Sequence, residues 1–297
     1  MKVLIATDGS KEATTALRTA NRLLSPTDRN LDLLCVGPKL PNKNWNRARR
    51  NGYEQRLLGE ITQVLEQARG HLPSDAGVIK LLPEIGSPSA AIVNKAGDYD
   101  LIVIGPRGHG TTGEGGLGPV ASRVVEHALG PVLVARELRG GGDTRVLVAV
   151  DGSTASLHAV ETLRSLFDLN SAEICLMHVA ETPWIQLGPE EDWETYSDED
   201  KDNSESGVLE KELVREGEAA LEQARDLLRS LRLSVSTRVD EGNPANEILS
   251  EAERGQYDLI VAGATGSRDL KHDMLGSVSS KIAWNAPCSV LIAREEE

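Results

Sequence analysis

The chain has 297 residues, enough for one large domain or two ordinary ones with a real core. Aromatic residues make up only 3%, so that core must be built mainly from Val, Ile, Leu and Ala. A formal net charge of -14 argues against general nucleic-acid binding, and no apolar run approaches the roughly 18 residues that a membrane-spanning helix needs.

In chain order, "KVLIAT" from Lys2 is an aliphatic run of buried-strand type, ended by Asp8-Gly9-Ser10, and "SKEATTALRTANRLL" after it has apolar residues at helical spacing. "LDLLCV" predicts a second strand, "GYEQRLLGEITQVLEQARGHL" a second helix and "VIKLLPEI" a third strand. "SPSAAIVNKAGD" predicts a helix with proline near its start, where a missing amide costs little. A fourth strand "DLIVIG", a glycine loop, the helix "PVASRVVEHAL" and a last strand "PVLVARE" follow. The chain opens directly into a strand, with no charged lead and apolar signal segment, which points to a protein kept in the cytoplasm.

The same order then recurs. "KVLIATDGSKEATTAL" from Lys2 matches "RVLVAVDGSTASLHAV" from Arg145, and "GSPSAAIVNKAGDYDLIVIGPRG" from Gly86 matches "GNPANEILSEAERGQYDLIVAGATG" from Gly242. "LGPVASRVVEHALGPVLVARE" from Leu117 answers "LGSVSSKIAWNAPCSVLIARE" from Leu275. Two homologous units follow, 1–138 and 144–297, joined by the linker "RGGGD" at 139–143. Near-continuous aliphatic strands alternating with helices call for a parallel sheet covered on both faces. The fold class is therefore α/β, with two doubly wound, five-stranded, Rossmann-like domains in tandem.

The charge is uneven. Residues 1–140 carry 18 Lys and Arg against 14 Asp and Glu, so the excess acid lies in the second half, much of it in "GPEEDWETYSDEDKDNSESG" at 188–207, which reads as a solvated loop. The three cysteines, Cys35, Cys175 and Cys288, lie far apart inside apolar stretches and read as buried thiols. Neither they nor the six histidines show metal-ligand spacing.

In such sheets, ligands bind beyond the carboxyl ends of the strands where the strand order reverses. The second unit marks two of its strand ends with unusual residues, Asp151-Gly152-Ser153 and Gly263-Ala264-Thr265-Gly266, and nine residues later Gly276-Ser277 opens a helix. Glycine lets backbone amides approach an anion, and a helix N-terminus favours phosphate. The spacing G-x2-G-x9-G-S thus reads as a split phosphate cradle.

With this spacing, the strand-end DGS and a duplicate of both, the sequence resembles the universal stress protein family in a tandem two-domain form. The resemblance covers nearly the whole chain apart from the linker and the acidic stretch. It implies ATP or a related adenine nucleotide (AMP or ADP), with a possible Mg2+ on the phosphates and no dedicated metal cage. It places Val150, Asp151 and Val179 near adenine and ribose, and Gly263, Gly266, Gly276, Ser277 and Val278 around ribose and phosphates. It also implies pairing of the last strands, here within one chain, and leaves a homodimer of such chains open.

The first unit departs at one position. Gly105, Gly108 and Gly118 keep the spacing, but Pro119 stands where the second unit has Ser277 and supplies neither amide hydrogen nor hydroxyl. Glu114 in the intervening loop would repel phosphate. A weaker or empty first site follows, with Ala6, Thr7, Asp8 and Val36 as its remaining lining. The Walker spacing and the HRD, DFG and GxSxG elements are absent, and no lysine or base is placed for phosphoryl transfer. A binding module is expected, with slow hydrolysis at most. The rival reading is a nucleotide-free scaffold whose duplicated sheets serve assembly.

Overall fold

The computed structural model describes residues 1–39, 47–73, 76–109, 115–139, 142–181, 205–231, 233–266 and 275–294. The first unit runs β1 (Lys2–Ala6), α1 (Lys11–Leu23), β2 (Asn30–Pro38), α2 (Arg47–Arg69), β3 (Val78–Gly86), α3 (Pro88–Lys95), β4 (Leu101–Ile104), α4 (Pro119–His127) and β5 (Val132–Val134). The second repeats it as β6 (Thr144–Ala149), α5 (Thr154–Leu166), β7 (Ala172–Ala180), α6 (Glu205–Leu228), β8 (Ser234–Glu241), α7 (Pro244–Arg254), β9 (Leu259–Gly263), α8 (Ser277–Asn285) and β10 (Ser289–Ala293). The helix starts follow from local chemistry. Ser10 and Ser153 cap α1 and α5 by accepting from the amides of Ala13 and Ser156, both at 3.1 Å, and Pro88 and Pro244 open α3 and α7.

One stretch differs from expectation. Residues 205–207, assigned to a solvated acidic loop, begin α6, since a glutamate in a first helical turn is favoured by the helix dipole. Residues 188–204 lie outside the described residues, as do Glu114 and two of the linker glycines.

All strands lie in one ten-stranded sheet of order β3-β2-β1-β4-β5-β10-β9-β6-β7-β8. Within each unit the pairs are parallel, and the strand order reverses between β1 and β4 and between β6 and β9. The units meet through the antiparallel pair β5 and β10, with Val132, Leu133 and Val134 opposite Ile292, Leu291 and Val290. Because successive strand residues point to opposite faces, each buried strand feeds two cores. Val3, Ile5, Val146 and Val148 pack under α1, α2, α5 and α6, while Leu4, Leu34, Leu147 and Met177 pack against α3, α4, α7 and α8. The thiols of Cys35, Cys175 and Cys288 are buried and unpaired, and burial pushes those of Cys35 and Cys288 up to about 11 and about 12. Among the described residues no helix is long and apolar enough to cross a membrane.

Two arginines lock the junction. Arg136, just past β5, donates to the carbonyls of Cys288 and Ala283 at 3.0 and 2.9 Å, at the end of α8. Arg294, just past β10, donates to the carbonyls of Val125 and Glu126 at 3.0 and 2.8 Å, at the end of α4. Each satisfies carbonyls at or just past a helix C-terminus of the other unit and places positive charge at the negative end of its dipole. Burial lowers the Arg136 guanidinium to about 10, so it stays charged at neutral pH. The buried hydroxyl of Ser289 adds a further tie, accepting from the Arg136 amide at 3.0 Å and donating to its carbonyl at 3.2 Å.

Arg136→Met keeps much of the apolar stem but removes both bonds. It is expected to lower the unfolding free energy by about 2–3 kcal/mol, the worth of charge-assisted bonds whose acceptors are left stranded. The readout is a lower urea midpoint with an unchanged slope.

Candidate functional site

The carboxyl ends of β6, β7 and β9, the first turns of α7 and α8 and one face of α6 enclose a hollow of about 920 Å³. This lies within the roughly 300–1,000 Å³ of small-molecule sites. Val150, Asp151, Val179, Gly263, Gly266, Gly276, Ser277 and Val278 all line it. The floor is apolar, with Ala149, Met177, Ala262 and Ile248 beneath, and polar groups gather at the rim.

Each rim residue is held by its element. Gly152 turns the chain after β6 with φ of 80°, a left-handed conformation that suits glycine. Asp151 Oδ1 accepts from the amide and hydroxyl of Ser153 at 3.0 and 2.5 Å, which orients the carboxylate beside the cap of α5. Its Oδ2 lies 3.0 Å from where a Gly266 Cβ would stand, so a side chain there would push the loop off Asp151. Gly263 has a packing duty of its own. A Cβ at that position would lie 2.7 Å from the Ala155 carbonyl carbon, because the start of α5 rests directly on the end of β9.

At α8 the amides divide. The Gly276 amide donates to the Ala264 carbonyl at 2.7 Å, so it closes the loop and is not offered to a ligand. The amides of Ser277, Val278 and Ser279 stand in the first helical turn, where no intrahelical carbonyl precedes them. The Ser279 hydroxyl donates to the Gly263 carbonyl at 2.6 Å and ties the helix to β9. Lys281, one turn further, also lines the hollow. The sequence reading placed no lysine here; the structure supplies one, because the side chain four residues after Ser277 returns to the same helix face.

His178 is a second residue that periodicity alone did not single out. Its Nδ1 lies 2.8 Å from the Val150 carbonyl and so carries the proton, leaving Nε2 as the acceptor of the neutral ring. Its ring packs against Gly217 of α6, where any Cβ would collide with it. The clue was present in "LVREGEAALEQAR" from Leu213, which repeats "LLGEITQVLEQAR" from Leu57 and aligns the second helices of the two units.

In the first unit the equivalent residues are held in much the same way. Ala6 ends β1, Val36 stands in β2 and Gly105 abuts the start of α1, where a Cβ would lie 3.2 Å from the Glu12 carbonyl oxygen. Thr7 donates its amide to the Leu34 carbonyl at 2.9 Å. Asp8 is drawn onto the glycine loop, with Oδ2 accepting from the His109 amide at 2.7 Å and Oδ1 from the Ser10 amide at 3.0 Å. Gly108 lies so close that a Cβ would clash with this carboxylate. Gly118 caps α4 and donates to the Pro106 carbonyl at 2.8 Å, the counterpart of the Gly276 bond. Burial pushes the Asp8 carboxyl up, but hydrogen bonds from Ser10 and His109, with the His109 charge, outweigh it and hold the group below the ordinary carboxylate range.

Comparison with known proteins places this geometry in context. The family model described as "Universal stress protein family" matches residues 1–136 and 144–294. A universal stress protein of Mycolicibacterium smegmatis is 27% identical over 301 residues, covering 98% of this chain and 96% of that one. Another, from Methanocaldococcus jannaschii, is 32% identical over 152 residues, 51% of this chain and 82% of its own. Among solved structures, a universal stress protein from Archaeoglobus fulgidus spans 100% of this chain and 97% of its own, with a TM-score of 0.61 and 17% identity, a likeness of fold.

Gly263→Ala is expected to cost about 1–3 kcal/mol through overpacking against backbone that cannot move aside, seen as a lower melting temperature without any ligand present. For Asp8, a depressed folded pKa means that its ionised form contributes stability above the unfolded value of about 3.9 and loses it as pH falls through the folded value. Wild type is therefore expected to exceed Asp8→Asn in stability at about pH 7, with the gap closing as pH falls below the ordinary carboxylate range in denaturant titrations.

Proposed function

The chain belongs to the universal stress protein family, and from that premise we propose that it binds ATP or a related adenine nucleotide in its second unit, as a regulatory module of a stress response. The observation that carries this reading is the convergence of three strand ends and the α8 N-terminus on one hollow. Val150 and Val179 supply apolar walls for the base, and the Asp151 carboxylate an acceptor for ribose hydroxyls. The first-turn amides of α8, the Ser277 hydroxyl and the Lys281 ammonium face the phosphates. Gly263 and Gly266 keep the loop close to Asp151.

A divalent ion would arrive with the nucleotide. Among the described residues no group of three or more His, Cys, Asp or Glu forms a cage for one. The nucleotide's role is occupancy rather than fast turnover, since the chain carries no Walker spacing to place a lysine and a hydroxyl on the β- and γ-phosphates together.

Acid extraction of the purified protein followed by mass spectrometry is expected to release ATP, ADP or AMP. Adding ATP with magnesium at a hundred times the dissociation constant is expected to stabilise the fold by about 2.7 kcal/mol. Ser277→Pro, which removes one amide and one hydroxyl, is expected to weaken binding about tenfold and so reduce that gain to about 1.4 kcal/mol. A melting temperature indifferent to ATP, with no nucleotide extracted, would overturn the proposal.

A further inference from the structure

Gly9 and Gly152 hold the same place in the two units, with φ of 79° and 80°, yet what stands over them differs. A Cβ on Gly9 would lie 3.0 Å from Val64 Cγ1 in α2, whereas one on Gly152 would lie 3.3 Å from the Ala220 Cβ in α6. The shared "LEQAR" confirms this alignment and pairs Ile61 with Gly217 and Leu57 with Leu213. Strand register pairs Cys35 with His178 and Gly37 with Ala180, since Lys2 lies opposite Asn30 and Arg145 opposite Glu173. In the second unit Ala180 and Ala220 line the hollow. In the first, Ile61 Cδ1 and Leu57 Cδ1 would lie 2.7 and 3.3 Å from a Cβ on Gly37, so aliphatic side chains press onto the strand end itself.

We infer that the first crevice is plugged by its own helix, through Ile61 and Val64 of α2, and that this plug rather than Pro119 limits the chain to one nucleotide. This rests on the reading of the second hollow as an adenine-nucleotide site. The physical reason is exclusion. Pro119 removes one amide from a set of several, a loss that lowers affinity in part. Branched side chains packed onto the strand ends cost a ligand more, because packed aliphatic groups yield only with backbone movement. The exchange is reciprocal. The second unit carries its bulk on the strand, as His178, and leaves the helix bare at Gly217 and Ala220; the first has a small Cys35 on the strand and bulk on the helix. In the second arrangement the hollow between helix and strand ends has a polar ring, that of His178, on its wall.

Equilibrium dialysis of the full chain against ATP gives the stoichiometry that tests this. Wild type is expected to bind one ATP per chain, Ile61→Ala with Val64→Ala two, and Pro119→Ser alone still one. The reverse exchange, Gly217→Ile and Ala220→Val with His178→Cys to vacate the place of the ring, is expected to bind none while retaining cooperative urea unfolding. Should the double alanine variant fail to fold, Val64→Ala alone is expected to tighten binding at the first site by about tenfold or more. A folded double alanine variant that stays at one, a Val64→Ala chain unchanged at the first site, a Pro119→Ser chain that reaches two, or a wild type that already holds two would overturn the inference and leave the nucleotide reading intact. A wild type that binds none would overturn both.

Discussion

The short antiparallel pairing of β5 with β10 is the contact on which the architecture depends. Each unit ends in an aliphatic strand that would be a template for aggregation if left bare. Setting Val132–Val134 against Val290–Ile292 covers both edges at once and turns two half-sheets into one. Three facing residue pairs are few for such a task, and the junction is reinforced accordingly. Ser289 brackets the Arg136 backbone, while Arg136 and Arg294 each reach across to the helix end of the other unit. The two helical layers then run past the junction, so the core below α1 and α2 is continuous with that below α5 and α6.

On this shared frame the two copies have diverged differently at the two ends of the sheet. At the amino ends of the strands the design is held. Asp100 accepts the Lys2 amide at 2.6 Å, and Asp258 accepts the Arg145 amide at 3.1 Å together with that of Arg139 in the linker at 3.0 Å. A cation lies over a tyrosine in both, Lys2 at 4.3 Å from the Tyr99 ring centre and Arg145 at 5.0 Å from that of Tyr257. The partner beneath changes, since Asp32 accepts from the Tyr99 hydroxyl at 2.8 Å where the second unit has Cys175. At the carboxyl ends the copies exchange bulk between strand and helix, Cys35 and Ile61 of the first unit standing where the second has His178 and Gly217. The packing is kept where the strands begin and varies where they end, the side on which such sheets bind ligands.

Much of this was legible beforehand for reasons local to the chain. Aliphatic runs of strand length, serines and prolines at helix starts, and glycines that must turn or let backbone approach announce themselves within a few residues. Gly263 shows where that legibility stops. The same residue could have been a phosphate contact or a packing device, and only the position of Ala155 reveals how tightly the backbone is packed there. Gly276 is a similar case, because its amide belongs to the Ala264 carbonyl, a partner identified only by the path of the loop.

The sequence by itself determined the duplication, the alternating strand and helix order, and the loops at which a ligand could be met, since periodicity and glycine chemistry act over short distances. The tertiary structure alone decided which helix side chains stand over each strand end. The side chains that fill or spare a strand end come from a helix far along the chain, and which of them point inward is set by how that helix rolls on the sheet. Val64 and Ala220 differ by two methyl groups, and their meaning appears only when Gly9 and Gly152 are seen beneath them.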